Sequence, residues 1–200
     1  MAVRSLSDLA RQWSRPFLLP VARIFSRLGI GPNAVSLIGL AAYGATGVMI
    51  GLGYPFWAGV MLAISGPLDA VDGLVARENG MASRFGAFLD STIDRYAEFF
   101  LFSGLMFRMT LDACGWEWQG PLLVLSAMSG SFLVSYARAR AEALGFDCKV
   151  GLFTRFERIF MLAVGLIFDL IYPVLFVLAV FTHITAIHRI IHVYRQKDTG

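Results

Sequence analysis

Charged residues are scarce in this sequence: they make up 16% of its 200 residues, whereas 57% are hydrophobic. An ordinary soluble domain carries about 25% charged and about 45–50% apolar residues. The shortage of charge therefore excludes an ordinary soluble domain and indicates an integral membrane protein. We expect no nucleic-acid partner.

Cysteine and histidine are also rare. Cys114 and Cys148 have neither CxxC nor metal-ligand spacing, so they predict no disulfide framework and no zinc site. His183, His188 and His192 follow one another at spacings of five and four. His188 and His192 can reach one metal ion from adjacent helical turns. Histidines that simply lie at the interfacial end of a helix are, however, commoner than such a site.

Long apolar stretches dominate the rest of the chain. Six of them lie at 34–52, 55–77, 85–109, 119–141, 153–170 and 172–194. A helix of about 20 residues crosses a hydrocarbon core of about 30 Å. We therefore predict an all-α polytopic membrane protein, a single domain over residues 1–200 in which residues 31–200 form a bundle of six transmembrane helices.

The N-terminal segment, residues 1–30, has a different pattern. Apolar residues alternate with arginines over residues 5–28, and Pro16 and Pro20 interrupt the middle. This predicts a broken, basic, amphipathic segment that lies in the membrane interface, where arginines meet anionic headgroups. A helix on the soluble side that packs on the protein is the alternative.

Positive charge is distributed unevenly between the loops. Of the 17 lysine and arginine residues, all but Arg95 and Arg108 lie before the first span, in or around the second and fourth loops, or at the end of the chain from Arg189 onward. The positive-inside rule then places both termini and these loops in the cytoplasm of a cell membrane.

Four aspartates stand where a membrane protein normally avoids charge. Asp69 and Asp72 lie near the inner end of the second span, and Asp90 and Asp94 near the inner start of the third. Each pair shares one helical face, and a short turn brings the two faces together. Four converging carboxylates repel one another unless cations bind between them, so we predict two Mg²⁺ or Mn²⁺ ions.

Two alternatives to a metal site would also account for these aspartates. Intramembrane ion pairs, such as Asp94 with Arg95 or Asp72 with Arg77, would neutralise only part of the cluster. A cation transporter would need polar groups along the whole path, whereas the outer halves of these spans are almost purely apolar.

The residues around the aspartates resemble a known signature. The stretch from Asp69 through Arg77, eight further residues, and then Gly86 through Asp94 read DxxDGxxAR(x)₈GxxxDxxxD. This pattern is similar to the signature of the CDP-alcohol phosphotransferase family. The resemblance covers essentially the whole chain and implies six helices after an amphipathic N-terminal segment, a homodimer, and transfer of a phosphatidyl group from CDP-diacylglycerol with release of CMP.

The resemblance also implies a role for each position. The metal ligands would be Asp69, Asp72, Asp90 and Asp94, and Asp94 would also be the general base that takes the proton of the acceptor hydroxyl. The CDP-lipid would be bound by Pro32, Asn33, Asp69, Gly73, Ala76, Arg77, Ser83 and Gly86. Helix packing alone can account for the two glycines, and Arg77 can instead be an arginine that extends to the interface.

Arginines near the fourth loop bear on the acceptor alcohol. Arg138, Arg155 and Arg189 can form a cluster that binds a phosphorylated acceptor, although the positive-inside rule alone also supplies several such arginines. The surrounding pattern SYxRARAE…G…ER is similar to phosphatidylinositol-phosphate synthases, which use inositol 1-phosphate. Those relatives often have lysine at the position of Arg138, so glycerol 3-phosphate remains the alternative acceptor.

Overall fold

The computed structural model describes residues 6–111, 118–151 and 153–196, and the side chains in these ranges from residue 16 onward. Over these residues the chain contains no strand and folds into α1 (Leu6–Arg27), α2 (Pro32–Gly51), α3 (Pro55–Glu78), α4 (Arg84–Leu111), α5 (Gln119–Ala143), α6 (Arg155–Ile167) and α7 (Ile171–Gln196). The all-α prediction is confirmed for this part of the chain. Cys114 lies outside it.

Prolines and glycines set the first helix boundaries. Pro32 and Pro55 begin α2 and α3, where the fixed φ of proline suits the first helical position and its missing N–H costs no hydrogen bond. Gly53, between these helices, has a φ of +85°. Because only glycine adopts this conformation easily, the short turn that reverses the chain depends on it.

Four helices within the described ranges are long and apolar enough to cross a membrane: α2, α3, α5 and α7. Helix α4 is longer, at 28 residues, but its first half carries several charged side chains. Helix α6 has only 13 residues, about 20 Å at 1.5 Å per residue. It ends at Ile167, shortly before Asp169, whose φ of 56° is left-handed, and is therefore shorter than the predicted span.

Helix α1 corrects one prediction. Pro16 and Pro20 lie inside one continuous helix, so the predicted break is wrong. Leu18 and Ala22 are buried in a cluster that includes Val71 and Leu74 of α3. This packing holds α1 against α3 on both sides of Pro20 and offsets the backbone hydrogen bond that the proline lacks.

The bundle is built from pairs of packed helices. Helix α2 lies against both α3 and α4, α3 also contacts α6, and α5 packs on α7. A Cβ atom on Gly47 or Gly104 would collide with the backbone of the opposite helix, so α2 and α4 touch directly at this point. This close crossing holds α4 directly against α2.

Many large apolar side chains remain on the outside of the bundle, among them Trp57, Phe88, Phe107, Phe176 and Ile190. Soluble proteins rarely expose so much contiguous apolar surface. Lipid tails are as apolar as these side chains, so the exposed surface fits a membrane environment.

Candidate active site

Four aspartates line one cavity. Asp69 and Asp72 lie in the second half of α3, and Asp90 and Asp94 in the first turns of α4. The cavity has a volume of about 60 Å³, and the rest of its wall comes from α1 and α2. The structure therefore brings together the carboxylates that stood out in the sequence.

Side chains of α2 hold the two carboxylates of α3. The Ser36 hydroxyl donates to Oδ2 of Asp72 at 2.6 Å, and the Tyr43 hydroxyl donates to Oδ2 of Asp69 at 2.7 Å. The backbone N–H of Gly73 donates to Oδ1 of Asp72 at 2.5 Å. Sequence reasoning missed Ser36 and Tyr43, although together with Gly39 they follow a helical spacing of three and four on a single face.

Arg155, at the start of α6, lies inside this cluster. Its Nη1 is 2.6 Å from Oδ2 of Asp69 and 2.8 Å from Oδ1 of Asp94. Its guanidinium also stands over the Tyr43 ring, 5.6 Å from the ring centroid. A second arginine, Arg95, approaches Asp94 at 3.5 Å. The ion pair of Asp94 with Arg95 that the sequence suggested is thus present. A second ion pair, with Arg155, joins Asp94 to a residue that is distant in the chain.

The donor set suits a hard divalent cation. In the parts of the chain that the structure describes, no group of three or more histidine, cysteine, aspartate or glutamate side chains is arranged to hold a metal ion. Arg155 instead supplies positive charge between Asp69 and Asp94. Oxygen ligands are those that Mg²⁺ and Mn²⁺ prefer, so the four carboxylates fit these ions by chemistry, while in this arrangement the Arg155 guanidinium takes the place of a cation between Asp69 and Asp94.

Two groups of residues expected to bind CDP-lipid also come together. A Cβ atom on Gly73 would lie 3.6 Å from Nη2 of Arg77, so the guanidinium stands over bare backbone. The N–H of Gly86 donates to Oγ of Ser83 at 3.0 Å. A Cβ atom on Gly86 would stand 3.9 Å from Oδ1 of Asn33, the residue that follows Pro32 at the start of α2.

Ala76 is partly buried on α3, one position before Arg77. Ser83 and Asn33 are exposed, and Pro32 is half-buried. These residues form an accessible rim beside the carboxylate cavity, where a polar headgroup can reach them from solvent.

The three arginines considered for the acceptor are placed differently. Arg138 is exposed on α5, and its Nε donates to Glu142 at 2.8 Å. Arg189 on α7 is buried and donates to the carbonyl oxygen of Val150 at 2.9 Å and to that of Val134. Arg155 contacts the aspartates, so the three guanidinium groups have different partners.

A buried ion pair escaped the sequence analysis. Glu98 on α4 and Arg158 on α6 are each 2% exposed at the side chain, and Nη2 of Arg158 lies 2.5 Å from Oε1 of Glu98. Arg158 also donates to the Phe153 carbonyl at 3.2 Å and to the Ser135 hydroxyl at 3.4 Å. The available signal was the spacing: Glu98 follows Asp94 by four residues, and Arg158 follows Arg155 by three.

The cysteine and histidine residues that the structure describes lie outside the wall of the cavity. Cys148 is a free, buried thiol whose pKa is raised by burial, which makes it unreactive. His183 contacts the Ser126 carbonyl at 3.2 Å, and His188 is exposed on α7. None of these three residues lines the cavity that contains the aspartates.

Known proteins resemble this chain over most of its length. The family model described as CDP-alcohol phosphatidyltransferase matches residues 30–188. The archaetidylinositol phosphate synthase of Methanothermobacter thermautotrophicus is 34% identical over 96% of this chain and 96% of its own length. That of Pyrococcus horikoshii is 32% identical over 90% of this chain and 92% of its own. The phosphatidylinositol phosphate synthase of Mycobacteroides abscessus is 34% identical over 80% and 73%, respectively.

Solved structures agree in fold. The phosphatidylinositol phosphate synthase of Mycobacterium tuberculosis with CDP-DAG bound superposes with a TM-score of 0.81 at 28% identity, over 88% of this chain and 93% of that one. The same enzyme in complex with manganese and citrate gives 0.82 at 29% identity, over 88% of each chain. On the family match and these relatives, the chain belongs to the CDP-alcohol phosphatidyltransferase family.

Proposed function

We propose that this protein transfers a phosphatidyl group from CDP-diacylglycerol to the hydroxyl of inositol 1-phosphate, with phosphatidylinositol phosphate and CMP as products. The observation that carries the proposal is the cavity lined by Asp69, Asp72, Asp90 and Asp94. The relatives support the choice of acceptor, because those compared above are named for inositol phosphate lipids.

The reaction forms one bond at phosphorus and breaks another. The acceptor hydroxyl oxygen attacks the lipid-bearing phosphorus, and the bond from that phosphorus to the bridging oxygen breaks, so that CMP leaves with the electron pair. Asp94 is proposed to accept the hydroxyl proton, which a positioned carboxylate can do as the hydroxyl becomes acidic during attack.

The four aspartates would hold two divalent cations, Mg²⁺ or Mn²⁺. When bound, such ions neutralise the charge of the diphosphate and of the leaving group. Asp69 and Asp72 reach the cavity from α3 and Asp90 and Asp94 from α4, so every ligand lies on a helix already packed against α2.

The remaining residues would orient the two substrates. Gly73, Arg77, Ser83 and Gly86 lie on the polar rim beside the cavity, where Arg77 can bind phosphate by charge-assisted hydrogen bonds. Arg138 and Arg189 are assigned to the phosphate of the acceptor, with Arg155 between that phosphate and the aspartates.

The membrane arrangement is part of the proposal. We assign a membrane crossing to each of the helices α2 to α7. Length and composition alone support this assignment for four of them, but not for α4 and α6. Helix α4 fits because its acidic residues line the cavity or pair with arginine. Both termini and the active site are assigned to the cytoplasmic side of the cell membrane, α1 to the interface, and the protein to a homodimer, as expected from the family resemblance.

The test is a purified-protein assay. The protein in detergent with CDP-diacylglycerol and Mg²⁺ is offered inositol 1-phosphate, glycerol 3-phosphate, inositol or serine, with CMP release measured and the lipid product identified by mass spectrometry. We expect release with inositol 1-phosphate and its loss on chelation by EDTA, with recovery on adding Mn²⁺. Release only with glycerol 3-phosphate would instead identify a phosphatidylglycerophosphate synthase. If no acceptor releases CMP, from this donor or an archaeal CDP-lipid, the proposed activity is wrong.

A further inference from the structure

One face of α2 looks onto the carboxylates of α3. Ser36, Gly39 and Tyr43 follow one another at spacings of three and four, so their side-chain positions stack along one side of the helix. Helices α2 and α3 are antiparallel neighbours joined by a short turn. Residues ascending α2 therefore face residues descending α3, with Ser36 opposite Asp72 and Gly39 opposite Asp69.

Two of these three residues donate hydrogen bonds to the carboxylates, and the third leaves space beside one of them. Tyr43 donates to Oδ2 of Asp69 at 2.7 Å, and Ser36 donates to Oδ2 of Asp72 at 2.6 Å. A Cβ atom on Gly39 would lie 3.6 Å from Oδ1 of Asp69. The hydroxyls therefore hold one oxygen of each carboxylate, while Gly39 places no side chain beside the second oxygen of Asp69.

Burial makes the Tyr43 contact directional. Tyr43 is 1% exposed, and its ring belongs to the main apolar core with residues such as Leu62 and Leu101. The ring cannot turn without disturbing this packing, so the hydroxyl points in one fixed direction. A hydrogen bond from a fixed donor favours one orientation of the carboxylate that accepts it.

We propose that Tyr43 and Ser36 are positioning residues, which hold Asp69 and Asp72 in the orientations in which these carboxylates bind the divalent ions. The inference rests on the proposed function, because it concerns the same metal ions. In metal sites generally, hydrogen bonds to ligating carboxylates orient the ligands, and their loss weakens metal binding by about 10–100-fold.

The test measures Mn²⁺ binding without turnover. The substitution Tyr43→Phe removes the hydroxyl but keeps the ring, its packing and its contact with Arg155, and Ser36→Ala removes the other donor. Free Mn²⁺ is followed by its EPR signal as protein in detergent is titrated. Thermal unfolding without metal reports whether each variant is folded.

We expect each variant to bind Mn²⁺ about 10–100-fold more weakly than the unsubstituted protein while its metal-free unfolding midpoint changes little. Tyr96→Phe is the matched control, because Tyr96 is 57% exposed on α4 and its substitution removes the same hydroxyl from a surface position. It should bind Mn²⁺ like the unsubstituted protein. A purely structural hydroxyl would lower the unfolding midpoint without weakening Mn²⁺ binding, and that result in both variants would overturn the proposal.

A further variant separates this inference from the proposed function. Asp72→Asn removes a proposed ligand and should abolish the Mn²⁺ titration. If Asp72→Asn binds Mn²⁺ normally, the metal site itself is wrong. If Asp72→Asn loses binding while Tyr43→Phe and Ser36→Ala retain full affinity, the metal site stands and the positioning role is refuted.

Discussion

Arg155 reaches from the start of α6 to Asp94 on α4, where its Nη1 lies 2.8 Å from Oδ1 of the carboxylate. One helical turn further along each helix, Arg158 and Glu98 form a second pair at 2.5 Å. The two arginines therefore connect α6 to α4 by parallel charged contacts. The first contact involves an aspartate that lines the cavity, and the second is buried in the interior of the bundle.

The substitution Asp94→Asn should abolish turnover in a protein that still folds. Asparagine keeps the shape of aspartate but does not accept the hydroxyl proton, and general-base catalysis is worth about 10²–10⁴-fold in rate. CMP release measures the loss, and gel filtration with circular dichroism measures folding. Asp147→Asn is the control, because Asp147 is exposed and its contacts with Gln196 are made by its backbone. Near-normal turnover in Asp94→Asn would remove Asp94 as the base.

The substitution Arg155→Gln should separate metal binding from acceptor binding. Arg155 competes with a metal ion for Asp69 and Asp94, because its positive charge contacts both carboxylates. Without that charge Mn²⁺ should bind about tenfold more tightly, which corresponds to about 1.4 kcal/mol of binding free energy. The KM for inositol 1-phosphate should rise. EPR titration and steady-state kinetics measure the two effects. Weaker Mn²⁺ binding would mean that Arg155 supports the metal site rather than competing for it.

The substitution Arg138→Ala should raise the KM for a phosphorylated acceptor and leave binding of the CDP-lipid unchanged. Arg138 is exposed and pairs with Glu142 four residues on, a contact worth about 0.3–0.5 kcal/mol, so its guanidinium is easily released toward a phosphate. A hydrogen bond to a charged group is worth about 1.5–3 kcal/mol, so we expect about tenfold or more in KM.

Steady-state kinetics with each substrate varied in turn measures the effect of Arg138→Ala. Arg23→Ala is the matched control, because Arg23 forms an exposed pair with Glu78 at 3.7 Å, far along the chain from the acceptor arginines. Equal loss for both substrates would place Arg138 in the donor site.

The stability of the protein should respond differently to single and double substitution of the buried pair Glu98 and Arg158. Glu98→Gln leaves the Arg158 charge buried without its partner and should cost about 3–5 kcal/mol. The double substitution Glu98→Met with Arg158→Met removes both charges and should recover most of that loss, since apolar replacements of buried pairs are often neutral.

Thermal unfolding in detergent measures these costs. Thr92→Val is a control on the same helix, because the Thr92 hydroxyl only donates to the Phe88 carbonyl within α4. If Glu98→Gln unfolds at the temperature of the unsubstituted protein, the predicted cost of leaving Arg158 without its partner is wrong.

The membrane class and the helices were predictable because hydrophobicity and helix signals act locally. Pro32 and Pro55 begin helices where a missing N–H is harmless, and the apolar stretches predicted all six helices of the bundle within a few residues. The break at Pro16 and Pro20 was wrong because the packing of Leu18 and Ala22 on α3, a tertiary contact, keeps α1 continuous. The predicted span at 153–170 proved shorter because the helix stops at Ile167, before the left-handed Asp169.

By itself the sequence determined how the four aspartates are placed: the spacing of Asp69, Asp72, Asp90 and Asp94 puts each pair on one helical face, a property of the α-helix that needs no knowledge of its neighbours. Only the tertiary structure decided what those carboxylates contact. Tyr43 and Arg155 are distant from Asp69 in the chain but touch it in the fold. Such contacts depend on how helices cross, and crossing is decided by packing over the whole bundle rather than by any local pattern.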